Sequence, residues 1–255
     1  MKRCTLSFFK LSIIVLFASC QKEHVPNEPA APLPKVKTYS EDLTSSYLGH
    51  IAFNYDISYD ADNKIISAIS TSAPGTRLLL NYPSASKYTT DFYENNILKL
   101  YKDFYLNSNS FVDSAFQYNN TKDSSTEKYF YNNNNQVIQI KKYNYSKITG
   151  SELSNTITNI YNMDGDLVSS TGTDKKIETY EYYTDLRYSV PLVFGPPNGS
   201  SAKKIHLIKK HTVSSNGSFV TNSDHTYTFD SNNRITTETQ TFTDGSSLVK
   251  TYTYF

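Results

Sequence analysis

Tryptophan is absent from the sequence, cysteine occurs only twice, and glycine and proline occur nine times each among 255 residues. Two cysteines, Cys4 and Cys20, build no disulfide framework, so this is not a small domain held together by cross-links. Charge of one sign is also missing: 25 Lys and Arg stand against 24 Asp and Glu. That balance gives no reason to expect nucleic-acid binding, which wants a basic face. The one pronounced apolar run, Leu11 to Phe17, falls short of the roughly 20 residues a membrane-spanning helix needs. No Gly-Xaa-Ser-Xaa-Gly elbow, phosphate-binding loop or His-Glu-Xaa-Xaa-His pair is present, and no segment carries a helical period. The residues therefore call for no cofactor.

What the chain has in quantity is tyrosine, 22 residues, with 14 phenylalanines and many clustered asparagines. Tyrosine suits strands and tolerates a half-wet sheet face because its ring is apolar and its hydroxyl is not. The start reads differently. Lys2 and Arg3 precede the apolar run, and Ala18 and Ser19 precede Cys20. This is a secretory signal over residues 1–19. The small residues before Cys20 resemble the bacterial lipobox, with Phe17 where leucine is commoner. Cys4 leaves with the signal, so Cys20 has no disulfide partner and is expected to carry lipid. Each buried methylene contributes about 0.8 kcal/mol, so several acyl chains hold a protein firmly on a membrane. Gln21, Lys22 and Glu23 follow; the absence of Asp after the lipidated cysteine, by resemblance, argues for the outer membrane, and this start resembles a surface-export signal. Pro26, Pro29, Pro32 and Pro34 make residues 20–45 a tether.

Strict alternation begins at Ile51, where Ile51, Phe53, Tyr55, Ile57 and Tyr59 are separated by Ala52, Asn54, Asp56 and Ser58. A phrase then recurs: an aromatic, a short Asp/Asn-rich stretch, Asn or Gly, and a pair of strand formers. Its copies start at Tyr59, Tyr131, Tyr161 and Phe229, with a looser copy at Tyr105 and a weaker one at Tyr82. Asp and Asn bond their own backbone, and Asn or Gly adopts the positive φ that reverses the chain, so each phrase is a hairpin. Other turn signals, such as Ala73-Pro74-Gly75 and Asn95-Asn96, fall between the copies. The pattern predicts an all-β domain over 46–255: an up-and-down antiparallel meander of about 15 strands with little helix. A sheet that wide curls strongly, into a half-barrel or spiral. A proline-rich insertion near 184–202 interrupts it, with Leu192, Val193 and Phe194 expected to tuck against the sheet.

The repeated phrase resembles the tyrosine-aspartate repeat of Rhs-type proteins. More closely, Tyr180-Glu181-Tyr182-Tyr183, Tyr227-Thr228-Phe229-Asp230 and Tyr252-Thr253-Tyr254, together with the lipobox, resemble a family of Bacteroidota lipoproteins of unknown function with degenerate repeats. That resemblance implies a β-rich surface lipoprotein and hands over no catalytic residues.

In such a meander Tyr59, Tyr82, Tyr105, Tyr131 and Tyr161 lie along one edge, where a cross-strand ladder is the simple reading and stacking on sugar rings the functional one. Asp113-Ser114-Ala115 resembles a Bacteroidota O-glycosylation sequon, which marks Ser114. If Asn216-Gly217 closes a hairpin, His206 and His225 become diagonal neighbours about 7–8 Å apart, too far for a metal pair that also lacks a third ligand. Asp60, Asp62, Asp164 and Asp166 belong to turns, not to an EF-hand, so no metal is expected. Acids are too scattered to select a hydrolytic pair. A membrane barrel is disfavoured because Lys99 and Asp103 on one parity and Lys102 on the other leave no clean lipid-facing side. Two readings stand. The first is a non-enzymatic, outer-membrane-anchored binding or scaffold module that meets a glycan or protein ligand. The alternative is a glycan-active hydrolase with an unrecognised carboxylate pair.

Overall fold

The computed structural model describes residues 35–45, 47–119, 124–146, 150–187 and 206–255. The signal, Cys20, most of the tether and the Leu192–Phe194 stretch lie outside the described residues. Sixteen strands follow one another: β1 (Val36–Ser45), β2 (Gly49–Tyr59), β3 (Ile65–Ser70), β4 (Arg77–Ser84), β5 (Lys87–Glu94), β6 (Ile97–Leu106), β7 (Val112–Asn119) and β8 (Ser124–Tyr131), then β9 (Val137–Ser146), β10 (Gly150–Tyr161), β11 (Leu167–Gly172), β12 (Lys176–Arg187), β13 (His206–Ser215), β14 (Ser218–Phe229), β15 (Ile235–Phe242) and β16 (Ser247–Tyr254). Every strand pairs antiparallel with its sequence neighbours, and β1 pairs with β16, which closes the barrel.

The meander is as the turn phrases predict, with one strand more and no open edge. The extra strand is β1, whose residues the sequence pattern assigns to the tether. Its inward row is Tyr39, Glu41 and Leu43. An acid in the middle of a core row conceals the alternation. Because β1 is the strand that bridges β2 and β16, missing it turns a closed barrel into an open, curled sheet.

Five even-to-odd hairpins share one local device. Asp60, Asn107, Asn132, Asn162 and Asp230 each accept at the backbone carbonyl from the residue three positions on, and donate their own N–H to the carbonyl four positions on. In four of them the side-chain oxygen also takes the N–H groups two and four residues later, as Asp60 does from Asp62 and Lys64. Asn63, Ser110, Asn135, Gly165 and Asn233 supply the positive φ. A β-bulge follows every one of the five turns, on the strand that leaves it. At the other end, Asn216-Gly217 is a two-residue hairpin with positive φ at both positions.

The apolar core lies along the inner wall as two arcs. One joins Tyr39, Ile57, Ala68, Leu207, Ile235 and Tyr252 across β12–β4. The other joins Tyr88, Phe104, Ala115, Tyr129 and Val137 across β4–β9, where Tyr88 and Phe104 stack at 4.4 Å.

Candidate functional site

Three groups of side chains carry chemistry: the tyrosines of the turn-bearing end, charged clusters on the inner wall, and the outward-facing rows. At the turn-bearing end, tyrosines stand on even-numbered strands, and each hydroxyl reaches back to the first residues of the preceding strand. Tyr59 donates to the Val36 carbonyl at 3.0 Å, Tyr82 to Ile65 at 3.0 Å, Tyr131 to Val112 at 2.7 Å and Tyr161 to Val137 at 2.7 Å. Tyr182, Tyr227 and Tyr254 do the same to Leu167, Ile208 and Ile235. Burial pushes the phenols of Tyr59, Tyr82 and Tyr161 up to about 12, so they stay protonated donors. Four of the five edge tyrosines expected from the sequence are thus gathered in one ring, with their hydroxyls committed to backbone. Tyr105 is not among them. Leu106, not Tyr105, pairs with Val112 as Tyr131 pairs with Val137. The phrase at Tyr105 is therefore out of step by one residue, which sends Tyr105 to the opposite face of the sheet. Tyr182, Tyr227 and Tyr254 lie in the quoted tyrosine motifs, and the period-two spacing of Tyr252 and Tyr254 marks them as one face.

On the inner wall, acids are seated beside tyrosines two residues away. The Tyr129 hydroxyl bonds Glu127, which also meets Lys102 at 3.0 Å and Lys142 at 3.3 Å. Burial works to raise the Glu127 carboxyl, but the two ammonium groups and the phenol overcome it and hold it at about 2. Tyr39 bonds Glu41, which faces Lys250, and Lys250 binds Glu238 at 3.2 Å. Here burial prevails and the Glu41 carboxyl is raised, because its one ammonium neighbour also binds Glu238. A third cluster joins Glu178 to His211, Lys176 and Tyr180.

A hydrolytic pair needs two carboxyl groups open to a shared cleft. Glu41 is only 4% exposed and is sealed among Tyr39, Glu238 and Lys250. The histidines are held separately: His225 binds Glu238 at 3.0 Å, and His206 binds Asp166 at 2.8 Å beside a cavity of about 550 Å³ whose lining includes Asp164, Asp166 and Glu181 with Tyr180, Tyr182 and Tyr183. Asp60 serves its turn, as its spacing implies, and Asp166 serves its own turn with Asn162 while its buried carboxylate also meets His206. Among the described residues, no three His, Cys, Asp or Glu side chains form a group that could hold a metal ion.

The outward rows are mixed, with Ile69, Leu153, Ile160 and Ile177 exposed among polar residues, and they are most hydrophilic around β14–β2. Around β14–β2 they read Thr226 and Thr228, then Thr237, Thr239 and Thr241, Thr251 and Thr253, Thr38, Ser40 and Asp42, and Asn54, Asp56 and Ser58. Around β5–β9 the outward rows hold Lys87, Tyr105, Phe116, Lys128, Phe130 and Lys141 among Thr89, Ser114 and Thr126. Ser114, the glycosylation candidate, stands in this wall opposite Tyr105 and Lys128.

No family model matches the chain, and no curated protein does. Among solved structures the fold is similar to the crystal structure of a porin-like protein from Bacteroides uniformis ATCC 8492. The TM-score is 0.62 at 11% identity, covering 88% of this chain and 98% of that one. The likeness defines the class of fold, a closed antiparallel barrel.

Proposed function

We propose that this chain is an exported lipoprotein, acylated at Cys20, whose barrel stands in water at the outer membrane and serves as a non-enzymatic binding or scaffold module. The observation that carries the reading is the outer wall. A bilayer-spanning barrel turns an apolar band toward lipid and polar residues toward its lumen. Around β14–β2 the outward rows are mainly threonine, serine and aspartate, and Lys87, Lys128 and Lys141 face out on β5, β8 and β9, while Tyr39, Ile57, Tyr88 and Phe104 face in. Lysine at the middle of a lipid-facing wall costs about 2–4 kcal/mol, and this wall would present several. The signal and lipobox supply the membrane attachment that such a wall cannot, and the porin-like description of the structural neighbour fits an outer-membrane setting.

Fractionation of a Bacteroidota host that expresses the full chain tests this. The wild-type chain is expected with the outer membrane, and Cys20→Ala, carried behind a signal that is cleaved without lipidation, in the soluble fraction without detergent. A Cys20→Ala chain that stays in the membrane after alkaline carbonate washing would mean that the barrel itself spans the bilayer.

A further inference from the structure

The outer wall is not uniform, and its β7–β9 sector carries a feature the fold does not use. Phe116 and Tyr118 stand on β7, Lys128 and Phe130 on β8, and Lys141 and Tyr143 on β9, all on outward rows. Phe116, Tyr118 and Phe130 are 36–40% exposed, high for aromatic rings on a rigid sheet. Lys128 and Lys141 are direct cross-strand partners. Like charges in that position destabilise a sheet. Neither meets a carboxylate among the described residues; each lies only over a ring, Lys128 over Tyr143 at 6.0 Å and Lys141 over Phe130 at 5.2 Å. The acids nearby are Asp91 on β5, Asp103 on β6, which is bound to Lys87 at 2.9 Å, and the exposed Asp113 at the start of β7, which makes no ion pair with either lysine among the described residues.

We infer that this sector binds an acidic polysaccharide, an inference that rests on the wall facing water. Flat aromatic faces accept the C–H faces of pyranose rings, because the face of the ring carries the negative part of its quadrupole. Adjacent strands lie about 4.8 Å apart, comparable to the advance of a sugar chain by one residue. Among the described residues the paired ammonium groups meet no carboxylate, and uronate or sulfate groups supply an anion. Ser114, Thr126 and Gln139 stand between the rings and offer hydrogen bonds to sugar hydroxyls, groups that an apolar membrane surface would leave unsatisfied.

Titration calorimetry of the full chain as Cys20→Ala tests the assignment, with polygalacturonate and heparin as acidic probes, dextran as the neutral one and phosphatidylglycerol vesicles as the lipid one. Saturable binding to at least one acidic probe is expected, weakening steeply with salt, with no heat from dextran or vesicles. The double substitution Lys128→Gln/Lys141→Gln should weaken binding at least tenfold, as should Phe116→Ser/Tyr118→Ser. Both pairs face outward, so an unchanged melting temperature shows that the fold is kept, and Lys128→Arg/Lys141→Arg should restore binding if the charge is what matters. Absence of binding to both acidic probes by a chain that is soluble without detergent overturns the inference and leaves the proposed function intact. Equal binding by the folded glutamine variant, or preferential binding to vesicles, also overturns it. A chain that needs detergent fails the proposed function itself.

Discussion

The wall of β5–β9 and the wall of β14–β2 are built from the same hairpin with the same bulge, yet they treat charge and aromatic area differently. In the first, Glu127 lies between two lysines on the inner face, and lysines lie over aromatic rings on the outer face. In the second, Glu41 and Glu238 share Lys250 inside, and the outer face is threonine and aspartate. A common turn therefore sets the path of the chain without setting what each sector does. The rows between turns are free to differ, because outward residues contribute little to a barrel whose core lies on the other face.

The largest effect expected from breaking this comparison is at the carboxylates. Glu127→Gln strands Lys102 and Lys142 on the inner wall without their anion, a loss of about 3–5 kcal/mol in denaturant unfolding at neutral pH. Glu41→Gln removes a carboxyl whose ionised form burial already disfavours and keeps a partner for Tyr39, so its cost should be under about 1 kcal/mol. The pH dependence has opposite signs. The Glu127 carboxyl is depressed, so its contribution is complete above the ordinary carboxylate value near 4.5 and disappears as pH falls toward about 2. The raised Glu41 favours the folded state as it gains its proton, so its contribution grows as pH falls. Equal losses from the two substitutions would erase the distinction between the sectors.

A smaller effect should be common to both walls. Tyr131→Phe and Tyr254→Phe each remove one hydroxyl from the ring of carbonyl contacts, on opposite sides of the barrel. Each should cost about 1 kcal/mol, read as a shift of the unfolding midpoint at unchanged slope. A marked inequality would mean that one wall is held by its turns more than the other.

The smallest effect should carry the reverse sign. Tyr88 is fully buried against Phe104, and its hydroxyl has no hydrogen-bond partner among the described residues. Tyr88→Phe should leave stability unchanged or raise it by up to about 1 kcal/mol, whereas the same change at Tyr131 lowers it. Calorimetric melting of the two variants side by side checks the contrast.

Much of this was legible in the chain because turns are local. Asp60, Asn132 and Asp230 satisfy backbone donors within four residues, and Asn63, Asn135 and Asn233 take the positive φ, so the hairpins and their sequential pairing follow from composition and spacing. The phase of each row was less secure. Tyr105 and Leu106 are both good strand residues, and only the pairing of Leu106 with Val112 places Tyr105 outside.

Alternation and turn chemistry alone determine an antiparallel meander, its direction of travel and the end at which the tyrosines gather, because those depend on neighbours a few residues apart. Closure, the identity of β1, the sealing of Glu41 and the isolation of Lys128 with Lys141 were decided by the tertiary structure. Each depends on a partner brought from another strand: Glu41, bonded by Tyr39 on its own strand, also meets Lys250 of the last strand in the core row.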